Sequence, residues 1–137
     1  MKDFYEEWFP LGDDLPLLDY VSMESIYAGK LKFLFKRTKK STYDAVNLNE
    51  KIVVEFELQP ISYRVSDESY RQRTLNALPT NRNGSFFISN QSFFLRDFYS
   101  DAGEIYQDIE CEHLLIVTPN TYFDFILDER PQIYISH

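Results

Sequence analysis

In Lys51–Leu58, KIVVEFEL, the side chains of Ile52, Val54, Phe56 and Leu58 fall on one side of an extended backbone, with Glu55 and Glu57 on the other. Successive residues of a strand point to opposite faces, so this segment predicts a strand with one buried and one wet face. The same period governs YVSMESIYAGKLKFLFKR. There Val21, Met23 and Tyr27 alternate with Ser22 and Glu24, Gly29-Lys30 interrupts, and Leu31, Phe33 and Phe35 alternate with Lys32 and Lys36. That pattern predicts a hairpin. A chain whose most apolar segments repeat every two residues has to build a sheet and cover it.

Further along, Ile61–Val65 is expected to continue the Lys51–Leu58 strand past Pro60, which would mark an edge or a bulge because proline donates nothing to a ladder. The polar stretch after it holds either a short helix from Asp67 or a long loop. Asn83-Gly84 reads as a turn into a strand over Ser85–Ser89, and Asn90 as the N-cap of a helix that carries Phe94 and Phe98 and stops at Gly103. IECEHLLIV, Ile109–Val117, reads as a strand. Thr118-Pro119 then predicts a second short helix, Asn120–Leu127, and PQIYIS a final strand. Strands precede interspersed helices without regular βαβ alternation. The predicted class is therefore α+β, one domain over residues 1–137, with a mainly antiparallel sheet and two or three short helices.

The chain has 137 residues, enough for one core, and 12 Phe, 10 Tyr and one Trp to fill it. A single cysteine forms no intramolecular disulfide, and MKDFYEEWFPLGDD lacks the basic start and apolar run of a secretory signal, so a cytoplasmic location is expected. Apolar runs such as Leu114–Val117 are far shorter than the roughly 20 residues of a membrane helix, so no membrane association is expected.

The net charge of −8 disfavours nucleic acid. It is unevenly spread: Lys30, Lys32, Lys36, Arg37, Lys39 and Lys40 occupy one eleven-residue window, and the rest of the chain carries −14. FKRTKKSTYD could make a small basic patch with Phe35 and Tyr43, but reads better as a solvated loop. Acid gathers at the start, in Asp3, Glu6, Glu7, Asp13, Asp14 and Asp19, and again from Asp97 to Glu129. This polarity suits steered encounter with a basic partner. FYEEWFP adds Phe4, Tyr5, Trp8 and Phe9, read either as a flap over one end of the core or as an exposed aromatic and acidic patch of the kind that forms binding hot spots.

Catalytic signatures are scarce. Cys111 and His113 share one face of the IECEHLLIV strand and Glu110 and Glu112 the other. A thiol and an imidazole are the minimum for a thiolate nucleophile, but side chains two apart on a strand stand parallel, and no asparagine or aspartate that would orient the imidazole is evident nearby. Metal is not expected, since beyond Cys111 and His113 only His137 and scattered carboxylates are on offer. No cofactor is expected either: there is no glycine-rich phosphate loop and no G-x-S-x-G elbow. A pair of distant carboxylates meeting in a cleft, as in glycosidases, stays open as an alternative.

LPLLDYVSMESIYAGKLKFLFKR resembles the start of small bacterial immunity proteins of polymorphic-toxin systems, including contact-dependent inhibition, which also run from a Leu-Pro segment into a short hairpin. FFISNQSFFLRDFYSDAGEIYQDIECEHLLIVTPNTYFDFILDERPQIYIS is similar to small bacterial proteins with the order strand, aromatic helix, strand ending in Thr-Pro-Asn, short helix and final strand. The resemblance implies a cytoplasmic, non-enzymatic inhibitor that occludes the working surface of a cognate toxin, and transfers no residue roles. The expected partner is a basic toxin domain such as a nuclease, met by Glu6, Glu7, Trp8, Asp13, Asp14, Asp108, Glu110 and Glu112. Two alternatives remain: a small enzyme using His113, Cys111 or paired carboxylates, and a homodimer that pairs sheet edges.

Overall fold

A computed structural model describes residues 2–12, 18–25, 29–37, 50–82 and 84–136. The chain runs through β1 (Phe4–Glu7), β2 (Leu18–Ser25), β3 (Leu31–Arg37), β4 (Lys51–Phe56), β5 (Ser62–Asp67), a 3-10 turn (Glu68–Tyr70), α1 (Gln72–Ala77), β6 (Phe86–Gln91), α2 (Phe93–Ala102), β7 (Glu112–Val117), β8 (Thr121–Leu127) and β9 (Gln132–Ser136). This is the expected α+β class. Among the described residues every strand pairing is antiparallel, in a five-stranded sheet ordered β1-β6-β7-β8-β5 and a four-stranded sheet ordered β2-β3-β4-β9.

Period two explains the layers. Leu31, Phe33 and Phe35 of β3 and Ile52, Val54 and Phe56 of β4 point to one side of the four-stranded sheet. They meet Phe86, Leu114, Ile116, Phe123, Phe125 and Leu127 of the five-stranded sheet in the main core. Phe33 sits at its centre, edge-on to Phe56, Tyr63, Phe123 and Phe125 with ring centroids 5.0–6.2 Å apart. The opposite face of the five-stranded sheet is covered by helices. Leu75 and Ala77 of α1, with Leu78, pack on Tyr5, Phe87, Leu115 and Tyr122. Leu95, Phe94, Phe98 and Tyr99 of α2 pack on Cys111 and Ile126. The order of layers is helices, five-stranded sheet, four-stranded sheet.

Five expectations need correction. Asn120–Leu127 is not a helix: Thr121–Leu127 is β8, paired with β7 on one side and β5 on the other. Its run of buried side chains arises because both faces are covered, Phe123, Phe125 and Leu127 facing the main core and Tyr122 and Ile126 the helix layer. Thr118 serves the tight turn between β7 and β8 instead, its Oγ1 donating to Thr121 O at 2.7 Å and its N–H donating to the same oxygen at 2.9 Å. The cap of α2 is Ser92, whose Oγ accepts from Leu95 N–H, and Asn90 belongs to β6.

Ile61–Val65 does not extend the strand before Pro60. β5 crosses to the edge of the other sheet, and Leu58, left between the two sheets, is 75% exposed. In β2 a register shift between Tyr20 and Ser22 interrupts the alternation read through Val21 and Met23. Met23 lies opposite Phe33 yet stays largely exposed, because β2 is an edge strand. FYEEWFP is more than a flap: its first half is β1, at the other edge of the five-stranded sheet. Gly29, at φ 87°, opens β3, and Gly103, at φ 64°, ends α2. Asp13, Asp14, Tyr27, Lys39, Lys40, Tyr43, Asn83 and His137 lie outside the described residues.

Candidate functional site

Cys111 and His113 do share one face, and the helix layer seals both. Cys111 packs against Leu95 and Ile126. Burial pushes its thiol above the ordinary value, which leaves little thiolate. The Tyr99 hydroxyl accepts from Cys111 N–H at 2.8 Å and donates to Ile109 O at 3.0 Å, which ties the end of α2 to the start of β7.

His113 is completely buried, edge-on to the rings of Tyr5 at 5.5 Å and Phe94 at 5.1 Å. Its Nδ1 lies 2.7 Å from Ser92 Oγ and its Nε2 2.6 Å from Asp124 Oδ1. Ser92, His113 and Asp124 thus form the line of a catalytic triad, but its chemistry is committed to the fold. Ser92 Oγ is unexposed and already accepts from Leu95 N–H at 3.2 Å. Asp124, also unexposed, takes Arg71 on both oxygens, with Nη2 on Oδ1 at 3.0 Å and Nη1 on Oδ2, while Arg64 Nε reaches Oδ2 at 3.1 Å. One proton arrangement satisfies every atom: neutral His113 donates from Nε2 to Asp124, and Ser92 donates to Nδ1.

The electrostatics agree with that arrangement. Burial, helped by the charges of Arg64 and Arg71, depresses the His113 pKa against the pull of Asp124. Burial alone would raise the Asp124 carboxyl, but hydrogen bonds from His113 and Arg71 hold it well below the usual carboxylate range. No nitrogen of His113 is left to take a proton from a substrate.

The acidic residues behave differently. Glu6, Glu7, Trp8 and Glu112 line one cleft of about 200 Å3, beside Phe4, Ile88, Asn90 and Arg130. Adjacent strands bring them together, β1 lying on β6 and β6 on β7. Arg130 grips Glu112 with two parallel bonds, Nε to Oε1 and Nη2 to Oε2, both 2.9 Å, and lies over the Trp8 ring at 5.2 Å. Glu7 Oε2 accepts from Gly84 N–H at 3.2 Å. The other side of Arg130 faces a second cleft of about 340 Å3, where Glu55, Glu57, Asp128 and Glu129 gather.

No known protein family, curated protein or solved structure matches the chain. The site therefore rests on its own geometry. Of the residues expected to bind a partner, Asp108 and Glu110 are exposed between α2 and β7 and line neither cleft. Among the described residues no three His, Cys, Asp or Glu side chains form a metal-ligating group, and no helix is long and apolar enough to cross a membrane. Sequence reading missed Asp124 as the partner of His113, because the segment that holds it was read as a helix; Tyr122 and Ile126 alternate with Phe123, Phe125 and Leu127, so no consistently polar face marks the strand. It also missed Arg130, which nothing local distinguishes from a solvated charge.

Proposed function

We propose that the protein is a non-catalytic, protein-binding inhibitor acting in the cytoplasm, an immunity protein that neutralises a basic toxin domain. The single observation that carries this reading is the pair of clefts that share Arg130. They gather seven carboxylates, Glu6, Glu7, Glu55, Glu57, Glu112, Asp128 and Glu129, against Arg130. Lys30 and Lys32 reach Glu57 at 3.6 Å and Glu55 at 3.1 Å, and leave the region at a net −4.

A partner that uses Lys and Arg to hold nucleic acid presents complementary charge to such a surface, and its encounter is accelerated. Trp8 supplies the aromatic element from which central hot spots are built. Arg130 already occupies the Glu112 carboxylate and the Trp8 ring, so an arginine of the partner has a ready-made position to compete for. No cofactor and no nucleic acid enter this reading.

The test is calorimetric titration against the toxin domain encoded beside this chain, at low and high salt, for the native protein and for Glu6→Gln/Glu112→Gln. Tight, salt-sensitive binding that weakens in the double variant is expected. Absence of a complex at low salt overturns the proposal.

A further inference from the structure

On the helix side of the five-stranded sheet, the first turns of α1 and α2 leave a cavity of about 250 Å3 between them, lined by Arg64, Arg71, Arg73, Tyr70, Phe93 and Phe94, with Asp3, Tyr5 and Thr74. Its charge is opposite to that of the chain. Three arginines line it, Arg64 and Arg71 bonded to Asp124 and Arg73 to Asp3 at 3.7 Å; Arg96, outside the lining, reaches Asp3 at 3.2 Å. With His113 neutral, the three lining guanidinium groups face Asp3 and the buried Asp124 and leave +1, in a protein of net −8. Asp67 and Glu68, on the turn before α1, do not line the cavity.

The donors outnumber their acceptors. Arg64 stacks on Phe94 at 4.2 Å and Arg73 on Phe93 at 4.7 Å, which fixes two guanidinium planes beside the opening. Arg64 spends only its Nε, on Asp124, while 43% of its side chain and 67% of that of Arg73 remain in solvent. The chain itself shows what these groups hold: the Asp3 carboxylate accepts from Phe93 N–H at 2.9 Å and from Arg96. Beside this, the Tyr70 ring is 84% exposed and that of Phe93 50%.

We propose that this cavity binds a small phosphate monoester carried on a planar ring. A phosphate monoester answers this positive lining, and its oxygens match the forks of Arg64 and Arg73. The ring finds an open aromatic face in Tyr70 or Phe93. Because ligand pockets commonly start near 300 Å3, the volume admits only a small molecule. The site is independent of the acidic clefts and of what they bind.

The test uses phenyl phosphate, inorganic phosphate and benzoate as probes in phosphate-free buffer, by calorimetry and by amide shifts of Arg73 and Phe93. Phenyl phosphate is expected to bind most tightly, at least about tenfold better than benzoate, the difference one charge-assisted bidentate contact makes. Arg64→Gln/Arg73→Gln removes two partly exposed donors and leaves Arg71 on Asp124, so the variant should melt like the native protein and lose that binding. Glu6→Gln/Glu112→Gln should retain it. Phenyl phosphate binding no better than benzoate, or binding equally well to the folded arginine variant, overturns the proposal. A phosphotyrosine peptide that binds more than about tenfold tighter than phenyl phosphate would replace the small ligand with a phosphorylated protein and overturn it too.

Discussion

His113 Nε2 lies 2.6 Å from Asp124 Oδ1 with neither side chain exposed, and the bond joins β7 to β8 beneath the helix layer. Its pH dependence follows from the depressed His113 pKa. Below the ordinary histidine value of 6.5 the unfolded chain takes up a proton that the folded protein refuses, so stability falls with pH by at most about 1.4 kcal/mol per unit. The groups facing the ring are Asp124, Arg64, Arg71 and Tyr5. Asp124 acts lower: its depressed pKa gives stability that is complete above 3.8 and lost as pH falls below it. Urea titrations from pH 7 to 4 should show the first slope, and His113→Asn should flatten it while lowering stability at pH 7 by about 2–4 kcal/mol. An unchanged slope in the variant would show that other groups set it.

Removing the acid should do more harm than removing the cap. Asp124→Asn leaves the buried Arg71 guanidinium without its counter-charge, for a loss of about 3–5 kcal/mol. Ser92→Ala removes one hydroxyl that caps α2 and satisfies His113, for about 1–3 kcal/mol. Chemical denaturation of both variants should give that order.

Trp8 is the only tryptophan, so its fluorescence reports on the acidic cleft and on the edge of the core where it meets Phe86. Arg130→Ala uncovers the ring face and should shift its emission to longer wavelength, with a stability change below about 1 kcal/mol because the Arg130–Glu112 pair is partly exposed. Binding of a basic partner should change the same signal. A spectrum indifferent to Arg130→Ala would show that the cation does not cover the ring in solution.

Cys111 should react with a thiol reagent at the rate of unfolding. At 3% exposure with a raised pKa, modification should be slow in buffer and fast in denaturant. Fast labelling of the native protein would contradict the packing against Leu95 and Ile126.

Legibility in the sequence followed burial geometry. β3 and β4 were readable because one face of each is apolar and the other carries Lys32, Glu55 or Lys36. β8 was not, because a strand buried on both faces shows no such contrast, and Thr118-Pro119 imitates a helix start. The Cys111–His113 register on one face was readable from spacing two. The partners of His113 were not, since Ser92 lies 21 residues before it and Asp124 11 after, and only the fold brings them within hydrogen-bond distance. Glu6, Glu7, Trp8 and Glu112 were chosen for chemistry, and β1-β6-β7 adjacency places them together.

Through Asp124, Arg71 anchors the start of α1 to β8, and through His113, Ser92 anchors the start of α2 to the same carboxylate. Neither helix can lift from the sheet without orphaning charges that hold the other. Hydrogen exchange should therefore find the amides of Leu75 and Leu95, on separate helices, opening together in one sub-global event and not as two independent frays.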